Sequence, residues 1–280
     1  MPELPEVETV KLGLQKHLIG HKILEINIIS KGIFEGDPNE VIGSKVIDVR
    51  RFGKGLVIDF DNKKSLAIHI KLTGQIIYRD PKTMGVPVSP EKVKTLPNNA
   101  TRIIFKLDKE GIIYYNDLRK FSWVRVVETE KLSEMSFFKN LGPEPFKDLT
   151  EELFEKIISS SKTVIKPLIM DQTKIGGIGN IYANDALFLA KIDPKRRANT
   201  LSREEAKLLY KSVIDVMEKS LKYGGASELN FVNVMGQEGS YQMHSLVYGK
   251  KGKKCPVCGN EIKKVFLGGR GTFYCDTCQK

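Results

Sequence analysis

A proline in second position, a row of carboxylates and four thiols are the groups in this chain with the most chemistry to offer. Met1-Pro-Glu-Leu-Pro-Glu-Val-Glu-Thr9 sets Pro2 next to Glu3, with Glu6 and Glu8 following. Removal of the initiator Met, usual before a small residue, leaves the secondary amine of Pro2 at the terminus. An α-amine titrates near ~8, so a sizeable unprotonated fraction exists at neutral pH. Such an amine can attack a carbonyl carbon and form an iminium, which is covalent catalysis by Schiff base. Glu3 beside it can move protons. The same residues also read as an acidic helix start, with Pro5 at the first helical position and Glu6 and Glu8 facing the positive end of the dipole.

At the other end, Cys255-Pro-Val-Cys258 and Cys275-Asp-Thr-Cys278 form a C-x2-C…C-x2-C pattern with sixteen residues, Gly259 to Tyr274, between the pairs. That spacing lets two knuckles bring four thiolates to one tetrahedral zinc. Four sulfur ligands leave no open position, so the zinc is expected to be structural, folding ~30 residues that could not bury a core unaided. The chain has no other cysteine, which argues against a disulfide framework. Lys250, Lys251, Lys253, Lys254, Lys263, Lys264 and Arg270 decorate this segment and suit phosphate contact, although a ribbon of this kind can equally bind protein. Gly268-Gly-Arg-Gly271 puts Arg270 at the tip of a flexible turn, where a guanidinium could clamp a phosphate bidentately.

Three further clusters carry weaker signals. Ile175-Gly-Gly-Ile-Gly-Asn180 resembles a turn that offers consecutive backbone N–H groups to a phosphate ahead of a helix, with Lys162, Lys166 and Lys174 nearby. In Asn116-Asp-Leu-Arg-Lys-Phe121, Arg119 and Phe121 two apart on an extended segment point to one side. Proteins that unstack DNA insert an apolar wedge with a cation beside it; a strand end with Phe121 in the core is the structural alternative. Arg51-Phe-Gly-Lys54 reads as an exposed basic turn between strands.

These groups must be positioned by regular elements. Val7, Val10, Leu14 and Leu18 recur at helical spacing from Pro5 to Leu18. From Lys22 to about Val127 the period becomes two: Leu56, Ile58 and Phe60 form one face, as do Leu66, Ile68 and Ile70, and Ile103, Phe105 and Leu107. Short strands at this spacing, separated by turn clusters, predict an antiparallel sandwich or barrel. Asp80 to Asn99, rich in proline, reads as an exposed loop. After about Glu130 the pattern turns helical. Asp148 offers a cap before Leu153, Phe154, Ile157 and Ile158, and Ser202 with Glu205 forms a capping box for a helix that stops at Gly224-Gly225. The expected layout is α+β and multidomain: 1–130 a helix plus antiparallel β-sandwich, 131–150 a linker, 151–245 a helical domain, 246–280 the zinc finger.

The chain has 280 residues, 41% hydrophobic and 28% charged, with a net charge of +11 and a pI near 9.3. That balance attracts polyanions, nucleic acid foremost and a membrane surface as the rival. No apolar run approaches a membrane span, and the early glutamates do not suit a secretory signal, so a cytoplasmic location is expected.

Together the motifs resemble the formamidopyrimidine-DNA glycosylase family across essentially the whole chain. The resemblance rests on Met1 to Thr9, Gly142-Pro-Glu-Pro145, Gly177-Ile-Gly-Asn-Ile-Tyr182, Val247-Tyr-Gly-Lys250 and the closing finger. Leu4 resembles this branch rather than its endonuclease VIII relative, which carries Gly there. The resemblance implies an N-terminal β-sandwich domain, a helix-two-turn-helix domain with a lesion flap at about Val234 to His244, and a zinc finger. It implies a bifunctional DNA glycosylase and abasic-site lyase that excises oxidised purines (8-oxoguanine, formamidopyrimidines) by a Schiff base followed by β,δ-elimination. Its substrate would be double-stranded DNA with damaged bases or abasic sites, bound by a monomer with one structural zinc and no catalytic cofactor. Carried over residue by residue, Pro2 is the nucleophile, Glu3 the acid for glycosidic cleavage, Lys54 the β-elimination lysine and Arg270 the δ-elimination arginine. Leu72, Arg119 and Phe121 fill the gap left by the everted base; Lys162, Lys166 and Asn180 contact DNA.

The chain departs from the family pattern at several points. His69-Ile-Lys-Leu-Thr-Gly74 puts Leu72 where Met is usual, Ser122 stands where Gly is general, Asn99-Ala-Thr101 replaces a His-x-His pair, and Ser159-Ser-Ser161 thins a lysine run before Lys162. Two other readings accompany the main one: an oxidised-pyrimidine glycosylase of the endonuclease VIII type, and a non-catalytic DNA-binding protein that keeps the fold.

Overall fold

The computed structural model describes residues 1–280. In chain order the elements are α1 (Leu4–Leu18), β1 (Ile23–Ile28), β2 (Phe34–Glu35), β3 (Val46–Phe52), β4 (Gly55–Phe60), β5 (Lys64–His69), β6 (Gly74–Arg79), β7 (Thr101–Leu107), β8 (Ile112–Asp117) and β9 (Trp123–Glu128), followed by α2 (Ser136–Lys139), α3 (Glu151–Ser159), α4 (Ile165–Met170), α5 (Asn180–Leu189), α6 (Arg203–Lys222), α7 (Tyr241–His244), β10 (Lys263–Leu267) and β11 (Arg270–Tyr274). They fall into two compact units. The first comprises Met1–Lys139 and Leu221–Gln242, the second Asn140–Ser220 and Met243–Lys280. The first unit thus takes in a stretch, 221–242, that the sequence groups with the helical domain.

In the first unit two sheets, ordered β1-β7-β8-β6 and β2-β9-β5-β4-β3, face each other. Pairing is antiparallel except where β2 meets β9 in parallel through Phe34↔Val124 and Glu35↔Arg125. The apolar stripe of α1 (Val7, Val10, Leu14, Leu18) joins the inward residues of both sheets in one core. Pro5 is the second helical residue rather than the first, because Glu3 caps the helix and Leu4 opens it; either position tolerates the missing N–H.

Strands β4 and β6 are buried at every position, so their outer faces are covered as well. Val57 and Ala67 lie under Leu132 and Phe138, while Ile77 lies under Val93 and Val232. Residues 80–99 are mostly exposed, as their prolines suggest, but Ser89 and Val93 are buried and pin the loop to the rest of the unit. Ser89 N–H donates to Gly236 O at 2.7 Å, and the Lys92 ammonium reaches Glu238 at 2.6 Å and Ser227 O at 2.5 Å. Covering apolar Ile77 stabilises this loop where polar composition alone would leave it loose.

The second unit is helical around α5, followed by the finger. Helix α6 starts with the expected capping box: Glu205 N–H donates to Ser202 Oγ at 3.2 Å and Ser202 N–H to the Glu205 carboxylate at 2.8 Å. Helix α3 is capped by Thr150, whose hydroxyl accepts from Leu153 N–H at 3.2 Å. Asp148 is instead turned back to accept from Glu144 N–H at 2.6 Å, closing the Gly142–Pro145 elbow. No helix is long and apolar enough to cross a membrane.

Candidate active site and nucleic-acid interface

Pro2, Glu3 and Glu6 are buried at the start of α1, and Met1 above them is exposed. The Glu6 carboxylate accepts from Glu3 N–H at 2.8 Å with one oxygen and from Ala226 N–H at 2.8 Å with the other. It thus fixes the backbone beside Pro2 from two directions. Glu3 at the N-cap and Glu6 on the first turn also complement the helix dipole.

Lys54 sits in the two-residue turn between β3 and β4, where Phe52 pairs with Gly55. Gly53 takes the left-handed conformation at φ 56, as the first central residue of such a hairpin requires. The lysine is 5% exposed, so the turn is not the open basic loop the sequence suggests. Its link to α1 is Arg51, the first residue of the same basic cluster. Arg51 donates through Nε to Glu8 at 2.7 Å and through Nη1 to Gly53 O at 3.0 Å. Burial by itself raises the Glu8 carboxyl, but hydrogen bonds from Lys11 and Arg51 bring it below its ordinary value.

Arg119 and Phe121 are exposed and share a face, with the guanidinium 4.8 Å from the ring centroid. The segment is a bend rather than an extended strand, because Lys120 adopts φ 58. Leu72 lies half-buried in the turn before β6. The two turns meet: Arg119 N–H donates to Thr73 Oγ1 at 3.0 Å. Beside them lies a hollow of about 480 Å³ lined by Thr73, Gln75, Lys92, Asn98, Leu118 and Asn230 among others. Of the expected flap, Val234 is a core residue whose carbonyl accepts from Tyr78 N–H at 2.8 Å, and Met235 O accepts from Arg79 at 3.0 Å. The leading part of that segment is anchored; Met243 farther on is 76% exposed.

In the second unit, Lys162 is exposed between α3 and α4, but Lys166 is sealed from solvent at 0%. Its ammonium donates to Asn180 Oδ1 at 2.7 Å, Thr272 Oγ1 at 2.8 Å and Gly271 O at 3.1 Å. Asn180 Nδ2 donates to the same Gly271 carbonyl at 3.1 Å. Both residues, expected at phosphates, therefore hold the backbone immediately after Arg270. A buried ammonium is stable only with its donors satisfied, which these acceptors provide. The glycine-rich turn differs from a phosphate nest too: Gly176 N–H donates to Pro143 O and Gly177 N–H to Gln172 Oε1, each at 2.9 Å.

Arg270 is exposed as the first residue of β11, paired with Leu267. The turn itself is Gly268-Gly269, both left-handed at φ 53 and 72, a tight hairpin rather than a flexible tip. The four cysteine Sγ atoms lie within 4.8 Å of one another. Cys255 and Cys278 are 3.8 Å apart and Cys258 and Cys275 3.5 Å, close to the ~3.8 Å edge of a tetrahedron with ~2.3 Å zinc–sulfur bonds. The residues fit one structural zinc. Asp185, unnoticed in the sequence, anchors the segment leading into the finger by accepting from Leu246, Val247 and Tyr248 N–H at 2.9–3.1 Å.

Comparison with known proteins places the chain. The model of the formamidopyrimidine-DNA glycosylase N-terminal domain matches residues 1–124, that of the glycosylase H2TH domain residues 141–231, and that of the zinc finger found in FPG and IleRS residues 252–280. The formamidopyrimidine-DNA glycosylase of Pelotomaculum thermopropionicum is 36% identical over 289 residues, covering 100% of this chain and 99% of its own. The wild-type Lactococcus lactis Fpg in complex with a DNA containing N7-benzyl-Fapy-dG is similar with a TM-score of 0.87 at 32% identity, covering 100% of both chains. The Lactococcus lactis Fpg complex with an abasic-site DNA gives a TM-score of 0.87 at 32% identity over 99% of each chain.

Proposed function

The chain belongs to the formamidopyrimidine-DNA glycosylase family, enzymes of base-excision repair, and from that premise we propose that it is a bifunctional glycosylase and abasic-site lyase for oxidised purines. The observation that carries this reading is the buried start of α1, where Pro2 and Glu3 are held by the doubly bonded Glu6. Loss of Met1 frees the Pro2 amine. Its nitrogen attacks C1′ of the damaged nucleotide, the C1′–base bond breaks, and Glu3 supplies a proton for the glycosidic cleavage. Opening of the sugar gives the Pro2 iminium. Lys54 then assists loss of the 3′ phosphate by β-elimination, and Arg270 loss of the 5′ phosphate by δ-elimination. Water releases Pro2.

Access to the base requires eversion, which costs a few kcal/mol of unstacking, less at damage. Leu72, Arg119 and Phe121 occupy the vacated space, an apolar wedge with a cation. Lys162 and the lysines of the finger contact phosphates, and Lys166 with Asn180 acts from beneath as a strut for the Arg270 hairpin. The chain works as a monomer on double-stranded DNA in the cytoplasm, at the nucleoid.

Borohydride trapping on a duplex containing 8-oxoguanine, followed by sequencing of the trapped residue, tests this. A covalent adduct on Pro2 is expected. No adduct, or an undiminished yield from Pro2→Gly, would sink the proposal.

A further inference from the structure

Asp117 closes β8 with no solvent exposure, and neither catalysis nor DNA contact as described above uses it. Its Oδ1 accepts from Thr73 Oγ1 and, at 3.2 Å, from Arg119 N–H. Its Oδ2 accepts from Ser122 N–H at 2.9 Å and Ser122 Oγ at 2.7 Å. One carboxylate thus bonds to both turns that carry the gap-filling residues: Thr73 follows Leu72, while Arg119 and Ser122 bracket Phe121. Each turn holds a lysine in the left-handed conformation, Lys71 at φ 49 and Lys120 at φ 58. Such backbone is uncommon outside glycine and needs its surroundings to fix it. Burial pushes the Asp117 carboxyl up, yet bonds from Thr73 and Ser122 bring it below the usual carboxylate range, so it is a charged acceptor. Hydrogen bonds to a charged group are the strong ones.

We propose that Asp117 is a positioning residue that locks the Leu72 turn and the Arg119–Phe121 turn into one rigid unit, and that the Ser122 hydroxyl is an added clasp on it. A wedge must enter the helix as the base leaves it, and two loose turns would each lose conformational entropy on insertion. The carboxylate removes that cost beforehand. This rests on the reading of Leu72, Arg119 and Phe121 as gap-filling residues.

The test uses the full chain with Ser122→Ala, which deletes one donor and keeps the backbone, and Thr73→Val, which deletes a hydroxyl at nearly constant shape. In hydrogen exchange, Ser122→Ala is expected to speed exchange about tenfold, the scale of one hydrogen bond to a charged group, in 118–122 and also in 71–74. On an 8-oxoguanine duplex both variants should excise about tenfold more slowly, with Thr73→Ser restoring the rate. Borohydride trapping on a single-stranded abasic oligonucleotide, where no gap needs filling, should stay at the wild-type level. Faster exchange confined to 118–122, or equal loss on both substrates, overturns the proposal. The exchange measurement needs no turnover. It therefore decides the coupling even if the wild-type chain fails to excise 8-oxoguanine, a result that would count against the proposed function instead.

Discussion

Lys166 and Asn180, fourteen positions apart, meet at 2.7 Å through ammonium and side-chain oxygen, and both bond to the carbonyl of Gly271. A cation at full burial is here a tie between α4, α5 and the finger hairpin. Lys166→Met keeps the aliphatic stem but leaves Asn180 Oδ1 and Gly271 O short of a charged donor. We expect it to lower the stability of the second unit by about 2 kcal/mol. It should also shift the products on an abasic duplex from β,δ- towards β-elimination, because Arg270 directly precedes the loosened residue. Gel separation of the two ends measures this. An unchanged product ratio would assign Lys166 to stability alone.

The Glu8–Arg51–Gly53 chain gives a second expectation. Arg51 fixes the hairpin tip of Lys54 to α1, and so to the end of the chain that carries Pro2. Arg51→Gln loses the charged fork but can keep one hydrogen bond. Single-turnover assays should show strand nicking slowed by about tenfold, the effect of one charge-assisted bond, with base release changed less. Equal slowing of both steps would mean that Arg51 supports the whole site rather than Lys54.

His69 sets an acid limit on the first unit. The ring is 4% exposed and packs against Trp123 and Phe137, with centroids 5.9 and 5.1 Å away. Its Nδ1 accepts from Lys71 N–H at 2.9 Å. Burial, then the charges of Lys71 and Lys54, push its pKa down to about 3. The unfolded chain takes up a proton near ~6.5 while the folded one resists until about 3. The resulting stability is complete above pH ~6.5 and is lost as pH falls through that window. His69→Asn keeps an acceptor for Lys71 but does not titrate. Urea midpoints measured from pH 7 to 4 should therefore fall less steeply in the variant. Parallel slopes would place the acid sensitivity elsewhere.

Much of this could be read from residue order because the signals are local. Helix α1, the capping box of α6 and the four cysteines each involve residues a few positions apart, or a spacing fixed by metal geometry. What escaped depends on contacts across the chain. Thr150 caps α3 because Asp148 is drawn to Glu144. The 80–99 loop is held by 227–238, some 140 residues away in sequence. Lys166 reads as one more surface lysine until its three acceptors, two of them from the finger, are in place. Asp185 carries no motif of its own, and Asp117 and Arg51 lie in clusters whose signal comes from their neighbours; Asp185 matters through distant backbone, Asp117 and Arg51 through the distant side chains of Thr73 and Glu8.

The finger shows why that distinction matters for a metal-removal experiment. Spacing alone treats 246–280 as a separate module, so that chelation would unfold it and nothing else. Its buried residues Cys255, Ile262 and Cys275 instead share an apolar cluster with Phe188 of α5 and with Val247. Gln279 donates to Ile192 O at 2.8 Å and accepts from Cys275 N–H at 2.9 Å, and Asn184 accepts from Phe273 N–H at 2.6 Å. Losing the zinc removes the folding free energy of the knuckles and exposes the face of α5 that they cover. A chelator should therefore abolish DNA binding and open 180–192 as well as 246–280 to limited proteolysis, while 4–128 stays protected. Restored zinc should reverse both effects. Cleavage restricted to 246–280 would show that α5 is stable without the finger, and DNA binding that survives chelation would remove the finger from the interface.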